Sequence, residues 1–221
     1  MLRILIAGLL TAMLTACGYA SDVDLAPQAE RIAKRIVPTG DYCEALARPP
    51  YTIKSSADCI RLEWDQQTRS YAMIDPDADD EPVIAAVSPV GRNLYLAQVD
   101  DAQDAAGGRY KISLVLAKGG TFLVIPPLER ARFEELAARY PSVKLRNDAA
   151  DPVIVGGSRD EIKAFLRASA GEALRGVALE DDDLTVGVRD RSGALDHSAS
   201  AAQARDIVEL VATLHRLQAG D

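Results

Sequence analysis

The stretch that decides the fold is residues 109–125, which read RYKISLVLAKGGTFLVI. Two largely apolar runs, Arg109 to Ala117 and Thr121 to Ile125, flank the tripeptide Lys118-Gly119-Gly120. Glycines between two such runs are typical of a β-hairpin turn. Because each run is apolar at consecutive positions, we expect both of its faces to be covered and the hairpin to lie centrally in a sheet.

The β pattern continues upstream of this hairpin. Between Cys59 and Asp65, the residues Ile60, Leu62 and Trp64 alternate with charged residues, as in a strand with one buried face. Strands are also predicted over residues 70–74, 83–87 and 93–99, each bounded by turn residues. Six strands at hairpin spacing predict an antiparallel β-meander.

The N-terminal part of the chain has a helical pattern. Residues 18–25 are predicted to form a short tether. Pro27 occupies a plausible first helical position, and apolar residues follow at 29, 32, 33 and 36. This spacing predicts a first helix that ends at Pro38, and a second short helical piece is expected to hold Cys43.

The region after the meander mixes helices with short strands. An apolar stripe predicts a helix over residues 133–140, and Ser158 with Glu161 forms a capping box at the start of another. Residues 177–179 and 184–188 predict a hairpin, and Ser200 with Gln203 caps a terminal helix. The predicted fold class is therefore α+β: an antiparallel β-meander of about six strands with helices packed on it, followed by a smaller α/β C-terminal part.

Composition and charge exclude several classes of partner. The chain has 221 residues, with 33 acidic and 25 Lys or Arg side chains, a formal net charge of -8. Such an acidic balance argues against nucleic acid, or an anionic membrane surface, as the main partner. Two histidines and three cysteines exclude most His/Cys metal sites, and no cofactor is expected.

The N-terminus carries an export signal. A basic start is followed by a short apolar run from Ile4 to Leu14, too short for a spanning helix. The junction Leu14-Thr15-Ala16-Cys17 resembles the lipobox of bacterial lipoproteins. This resemblance implies cleavage before Cys17 and acylation of that residue, whereas the alternative is an ordinary cleaved signal peptide. With Gly18 rather than Asp after the cysteine, the resemblance implies the outer membrane, facing the periplasm; the inner membrane and the cell surface remain alternatives.

The other two cysteines indicate a disulfide. Cys43 and Cys59 remain as an even pair in an oxidising compartment. A bridge between them would stabilise the fold by about 3 kcal/mol in the chain-entropy model. A redox pair and two buried free thiols are the alternatives, but a redox site usually has Cys-x-x-Cys spacing.

These features divide the chain into four parts. Residues 1–16 are the signal peptide, and 17–40 hold the acylated cysteine, the tether and the first helix. Residues 41–147 hold the disulfide-bridged meander with a helix, and 148–221 form the C-terminal part. The last two parts make either one compact unit or two coupled subdomains that meet near 148–152.

No catalytic constellation emerges from the sequence, and no catalytic residue is predicted. The imidazoles of His197 and His215 are interpreted as structural, and Ser158 after Gly156-Gly157 as a helix N-cap rather than a nucleophile. No phosphate-binding glycine loop has the required spacing.

Two acidic loops are the candidate metal site. They are residues 75–81 and 100–108, and alternate connections of a meander share one end of the sheet. The candidate ligands of a weakly bound divalent cation are Asp75, Asp77, Asp79, Asp80, Glu81, Asp100, Asp101 and Asp104. The alternative is that these carboxylates only keep the loops solvated.

The functional hypothesis combines the predicted localisation with the absence of predicted catalytic residues. We expect a lipoprotein, held at the membrane by its lipid anchor, that acts as a binding or interaction module in the periplasm. Its partner would be a basic envelope protein or a divalent cation. The alternatives are a carboxylate-dependent periplasmic hydrolase and an inhibitor or immunity-type lipoprotein.

Overall fold

The computed structural model describes residues 18–45, 59–76, 81–101, 108–147, 152–175, 185–189 and 201–219. The described strands are β1 (Tyr19–Ser21), β2 (Gly40–Ala45), β3 (Cys59–Asp65), β4 (Ser70–Ile74), β5 (Val83–Gly91), β6 (Leu94–Asp100), β7 (Tyr110–Lys118), β8 (Thr121–Ile125), β9 (Lys144–Arg146), β10 (Val153–Gly156) and β11 (Thr185–Arg189). The described helices are α1 (Arg130–Ala137), α2 (Arg159–Leu174) and α3 (Ala201–Ala219), together with a 3₁₀ turn at Gln28–Glu30.

Eight of the strands close into an antiparallel barrel. Strands β3 to β8 pair in chain order, and β11 and β2 fill the gap between β8 and β3. The predicted fold class is therefore wrong, because the chain is mostly β and the meander does not stand alone. Closure removes the two open edges, with unpaired N–H and C=O groups, that six meander strands would otherwise expose.

The closing strands were assigned incorrectly or incompletely from the sequence. Residues 40–45 around Cys43 are strand β2 rather than a helical piece. Strand β11 matches the strand predicted over residues 184–188, but it pairs with β2 and β8. Its predicted hairpin partner, residues 177–179, lies outside the described residues. Pairings this distant in sequence leave no local signal.

The predicted tether and first helix are also wrong. Residues 19–21 form strand β1, which lies between β7 and β10. Beyond the 3₁₀ turn, residues 31–39 form bends rather than a helix, and the N–H of Ile32 donates to the carbonyl of Val87 at 3.0 Å. The N–H of Val37 donates to the hydroxyl of Tyr71 at 3.0 Å. Ile32 and Val37 are buried against the barrel residues, so their spacing reflects tertiary packing rather than a helix.

Two apolar cores lie on the two faces of the barrel wall. The interior is filled from alternate strand positions, among them Tyr42, Ile60, Leu62, Tyr71, Met73, Ala85, Val87, Val115, Phe122 and Val124. The outer face of β5 to β8 and β11 packs against the three helices through Leu96, Leu114, Leu123, Phe133, Phe165, Leu166, Ile207 and Leu210. The prediction that the hairpin of residues 109–125 is covered on both faces is confirmed, since Leu114 and Val115 of β7 belong to opposite cores.

One of the two predicted capping boxes is present at the start of α2. The hydroxyl of Ser158, the N-cap of α2, accepts a hydrogen bond from the N–H of Glu161. The Glu161 carboxylate in turn accepts from the Ser158 hydroxyl, so the capping box is confirmed. Helix α1 overlaps the helix predicted over 133–140 but starts and ends three residues earlier. Ser200 of the second predicted box lies outside the described residues.

Candidate functional site

The two ends of the barrel differ in their connections. The short connections 66–69, 92–93 and 119–120 lie at one end, here called the short-turn end, because consecutive strands pair antiparallel. The connections 75–82 and 101–109 lie at the other, here called the long-loop end. The described ends of the two acidic loops, Asp75 and Glu81 of one and Asp100 and Asp101 of the other, therefore lie at one common end of the barrel.

A groove of about 980 Å³ lies beside the short-turn end, where the β5–β6 turn meets α1, α2 and α3. Its charged lining consists of Arg92, Arg139, Arg167, Arg175, Arg216 and Glu172. Five arginines and one glutamate give the groove a formal charge of +4, opposite in sign to the whole chain. We refer to it as the arginine groove.

Helix α2 forms the floor of the arginine groove. Arg167 and Gly171 lie four residues apart on one face of the helix, and Arg175 follows as its C-cap residue. The floor also contains Ala164 and Ala168. Because Ala164, Ala168 and Gly171 have small or no side chains, space remains between the arginines.

Glu172 holds two of the arginines in place. Its carboxylate lies 3.1 Å from the guanidinium of Arg175 and 3.9 Å from that of Arg139. Arg139 also lies 3.6 Å from Glu135 on α1. Ion pairs at such exposure contribute little to stability, but they fix the direction of long side chains.

Arg92 and Arg167 are the arginines available for a ligand. Among the described residues, no carboxylate pairs with either of them. Arg92 lies in the β5–β6 turn beside Asn93, which has a φ of 58°. The carbonyl of Asn93 accepts from the N–H of Ala117 at 2.9 Å, which ties the turn to β7. The stem of Arg167 lies over Gly91, whose hydrogen leaves room for it.

Arg216 approaches the groove from α3. Its Nε donates to the carbonyl of Ala212 at 3.3 Å, and its Nη2 donates to the hydroxyl of Thr213 at 3.1 Å. Thr213 is buried and donates to the carbonyl of Glu209 at 2.9 Å. The guanidinium is therefore held against α3 by the Ala212 carbonyl and the Thr213 hydroxyl.

The chemistry of the groove is anion recognition. Guanidinium groups remain charged at all ordinary pH values and donate in a fork that matches phosphate and carboxylate oxygens. Arg139, Arg175 and Arg216 lie at or near helix C-termini, whose partial negative charge reduces the repulsion between like charges. The groove can therefore hold several cations together without a bound anion.

No short motif in the sequence predicts this groove. Its arginines come from a strand turn and three helices between positions 92 and 216, so no short motif contains them. The only local signal is the four-residue spacing of Arg167, Gly171 and Arg175. That spacing alone does not distinguish a ligand site from an ordinary exposed helix face.

The predicted disulfide is confirmed. Cys43 and Cys59 face each other across β2 and β3, with a Cα–Cα distance of 4.0 Å, and their sulfurs are bonded. Cys17, the predicted lipidation site, lies outside the described residues, as does His197. For His215 the structure describes the helical backbone only.

The predicted metal site is only partly visible. Asp75, Glu81, Asp100 and Asp101 are described, and Asp100 pairs with Arg109 at 3.1 Å. The other four candidate ligands, Asp77, Asp79, Asp80 and Asp104, lie outside the described residues. Within the part of the chain that the structure describes, no group of three or more His, Cys, Asp or Glu could hold a metal ion. The cation site stays a prediction.

A buried serine–lysine contact was also not foreseen. The Nζ of Lys163 donates to the hydroxyl of Ser88 and to the carboxylate of Glu30, both at 2.7 Å. Ser88 is fully buried, and the cation is already paired with Glu30. This cluster therefore lacks the accessible nucleophile and the free base of a serine–lysine catalytic pair. It ties the N-terminal segment to β5 and α2.

Across the described helices, none is long and apolar enough to cross a membrane. Comparisons with protein-family models, with curated proteins and with solved structures give no match for this chain. The arginine groove is thus the arrangement on which a functional conclusion rests.

Proposed function

We propose that this protein is an outer-membrane lipoprotein, anchored through Cys17 and facing the periplasm, whose arginine groove binds an anionic ligand. The observation that carries the binding role is the convergence of five arginines on one groove of an acidic protein. The lipobox resemblance supports the anchor. The Cys43–Cys59 bridge supports an oxidising compartment.

The groove suits a ligand with several negative charges. Among the described residues, no carboxylate pairs with Arg92 or Arg167, so their guanidinium groups can donate to a ligand. Arg175 and Arg139 are oriented by Glu172. Hydrogen bonds to charged groups contribute about 1.5–3 kcal/mol each. A phosphate or carboxylate bridging two guanidiniums would therefore be held far more tightly than at a single exposed arginine.

The groove does not favour the hydrolase alternative. Hydrolysis by carboxylates needs two of them facing one bond, one of which must carry a proton. Glu172 is the one carboxylate among the described residues that line the groove, and it is paired with Arg175. A binding role requires no such pair.

Calorimetric titration of the purified mature protein with tripolyphosphate, and separately with citrate, tests the proposal. We expect saturable binding that weakens as salt rises, because salt screens charge attraction. The double variant Arg92→Gln with Arg167→Gln should lose at least about tenfold in affinity.

The matched control is Arg61→Gln with Arg109→Gln. It changes the net charge by the same amount, and both arginines are exposed, outside the groove and paired with Asp41 and Asp100 respectively. The control should bind like the wild type. Absence of binding by the wild type, or an equal loss in the control, would contradict the proposal.

A further inference from the structure

The folded body begins almost at the proposed anchor. Tyr19, two residues after Cys17, is buried in β1, with its ring stacked on Phe133 at 4.9 Å. Its hydroxyl accepts from the N–H of Leu128 at 3.0 Å. Gly18 is exposed but lies against β7, since a Cβ there would be 2.8 Å from the carbonyl oxygen of Ile112. Two extended residues span at most about 7 Å, so no flexible spacer separates the barrel from the lipid.

The register of β1 gives the direction in which the anchor leaves the body. Tyr19 pairs with Ile112 and Ser21 with Tyr110, so the chain runs backward from Ser21 toward the Lys118 end of β7. That is the short-turn end. The turn that carries Arg92 lies level with Ala117, five residues or roughly 17 Å along β7 from Ile112.

Charge is distributed along the same axis. The short connections at the short-turn end carry Arg69 and Arg92, and the arginine groove lies beside them. The connections of the long-loop end carry, among the described residues, the carboxylates of Asp75, Glu81, Asp100 and Asp101. The arginine groove therefore lies at the end toward which β1 runs back to Cys17, where Asp206 and Glu209 of α3 also contact the 118–120 turn. The four described carboxylates of the acidic loops lie at the opposite end.

From this arrangement we infer that the arginine groove faces the membrane and binds the phosphate group of anionic phospholipid headgroups. The inference rests on the proposed anchor and on the proposed anion binding. A free phosphate compound in the periplasm would offer the same tetrahedral oxyanion. The short link favours the headgroup, because it holds the groove at a high effective concentration of lipid phosphate.

Vesicle sedimentation tests the inference without the anchor. The full mature chain with Cys17→Ser, which cannot be acylated, is mixed with vesicles of phosphatidylcholine alone or of phosphatidylcholine with phosphatidylglycerol. We expect partitioning onto the phosphatidylglycerol vesicles only, decreasing with salt. Adding Arg92→Gln and Arg167→Gln should lower the partition coefficient about 25-fold, since each arginine near an anionic surface contributes about fivefold.

The control pair Arg61→Gln and Arg109→Gln, in the same Cys17→Ser background, should leave the partition coefficient unchanged. Equal partitioning onto both kinds of vesicle, or an equal loss in the control, overturns the inference. Unchanged melting temperatures show that each variant is folded.

Tripolyphosphate separates this inference from the proposed function. If the groove binds tripolyphosphate and this anion releases the protein from phosphatidylglycerol vesicles, the headgroup occupies the groove. If tripolyphosphate binds but vesicles of either composition do not, the headgroup inference fails and anion binding stands. If neither binds, both fail.

Discussion

Phe122 of β8 lies directly opposite Gly187 of β11, and its buried ring occupies the space where a side chain at 187 would point. The same ring lies 5.4 Å from that of Tyr42 on β2. One aromatic side chain thus fills the barrel interior at the seam where β11 joins the meander. A ring that covers a strand glycine is a recurrent means of stabilising a closed sheet.

Gly187→Ala is expected to destabilise the protein by about 2 kcal/mol, because the added methyl overlaps the Phe122 ring and forces the core to shift. Urea denaturation measures the loss. Gly156→Ala is the matched control, since its Cβ would lie at an ordinary 3.6 Å from Lys144. A Gly187→Ala protein as stable as the wild type would show that the ring does not fill this seam.

Removing the disulfide with Cys43→Ser and Cys59→Ser should lower the free energy of unfolding by about 3 kcal/mol, through the larger entropy of the unfolded chain. The bridge joins directly paired residues of β2 and β3. Denaturation with and without a reductant is the measurement. Reduced wild-type protein should match the double variant, and a midpoint that ignores the reductant would contradict the expectation.

Glu30→Ala should destabilise the protein by about 2 kcal/mol, because the buried ammonium of Lys163 loses its carboxylate partner. Glu135→Ala, which removes an exposed partner of Arg139, should destabilise the protein by only a few tenths of that amount. Thermal unfolding compares the two variants. Equal effects would mean that the contact of Glu30 with Lys163 does not secure the N-terminal segment.

Stability should fall in strong alkali because of Tyr19. Burial raises the pKa of its hydroxyl from 10.0 to about 12. The unfolded chain therefore loses this proton first, so the stabilising contribution is complete below about pH 10 and is lost as the pH rises through 12. Denaturation at a series of pH values measures the slope, which should be smaller in Tyr19→Phe. An unchanged slope in that variant would assign the effect to other groups.

Cys17→Ala should abolish incorporation of labelled palmitate and leave either the precursor or an unanchored protein, because the thioether that holds the lipid cannot form. Labelling of cells followed by fractionation measures both effects. Cys59→Ser serves as the control and should still be acylated. Labelling that persists in Cys17→Ala would show that the lipid is attached to another residue.

Strand prediction succeeded where burial on one face leaves a local pattern. The alternation of Ile60, Leu62 and Trp64 predicted β3, and their side chains do contribute to the barrel interior. The helix prediction for residues 27–38 was wrong, because the spacing of its apolar residues comes from tertiary contacts with the barrel. Ile32 and Ile36 have helical spacing, but they pack on the barrel from a segment of bends that follows the 3₁₀ turn.

No local sequence pattern predicts the candidate site. Arg92 and Arg216 are more than a hundred positions apart in the chain, and each alone is an ordinary surface residue. Only the packing of α1, α2 and α3 on the barrel brings them to one groove. The sequence predicted Cys43 with Cys59 because few cysteines leave few pairings, whereas 25 Lys and Arg residues leave many combinations.

By itself, the sequence determined the order and pairing of the strands from β3 to β8, the disulfide and the capped start of α2, because each joins segments that follow one another closely, with partners at most 22 positions apart as in Leu94 and Leu116. Only the tertiary structure decided that β2 and β11 close the barrel, that β1 lies in the sheet, and that the arginines converge. These features depend on contacts between distant segments. Their free energy comes from covered strand edges and buried side chains, which no local spacing records.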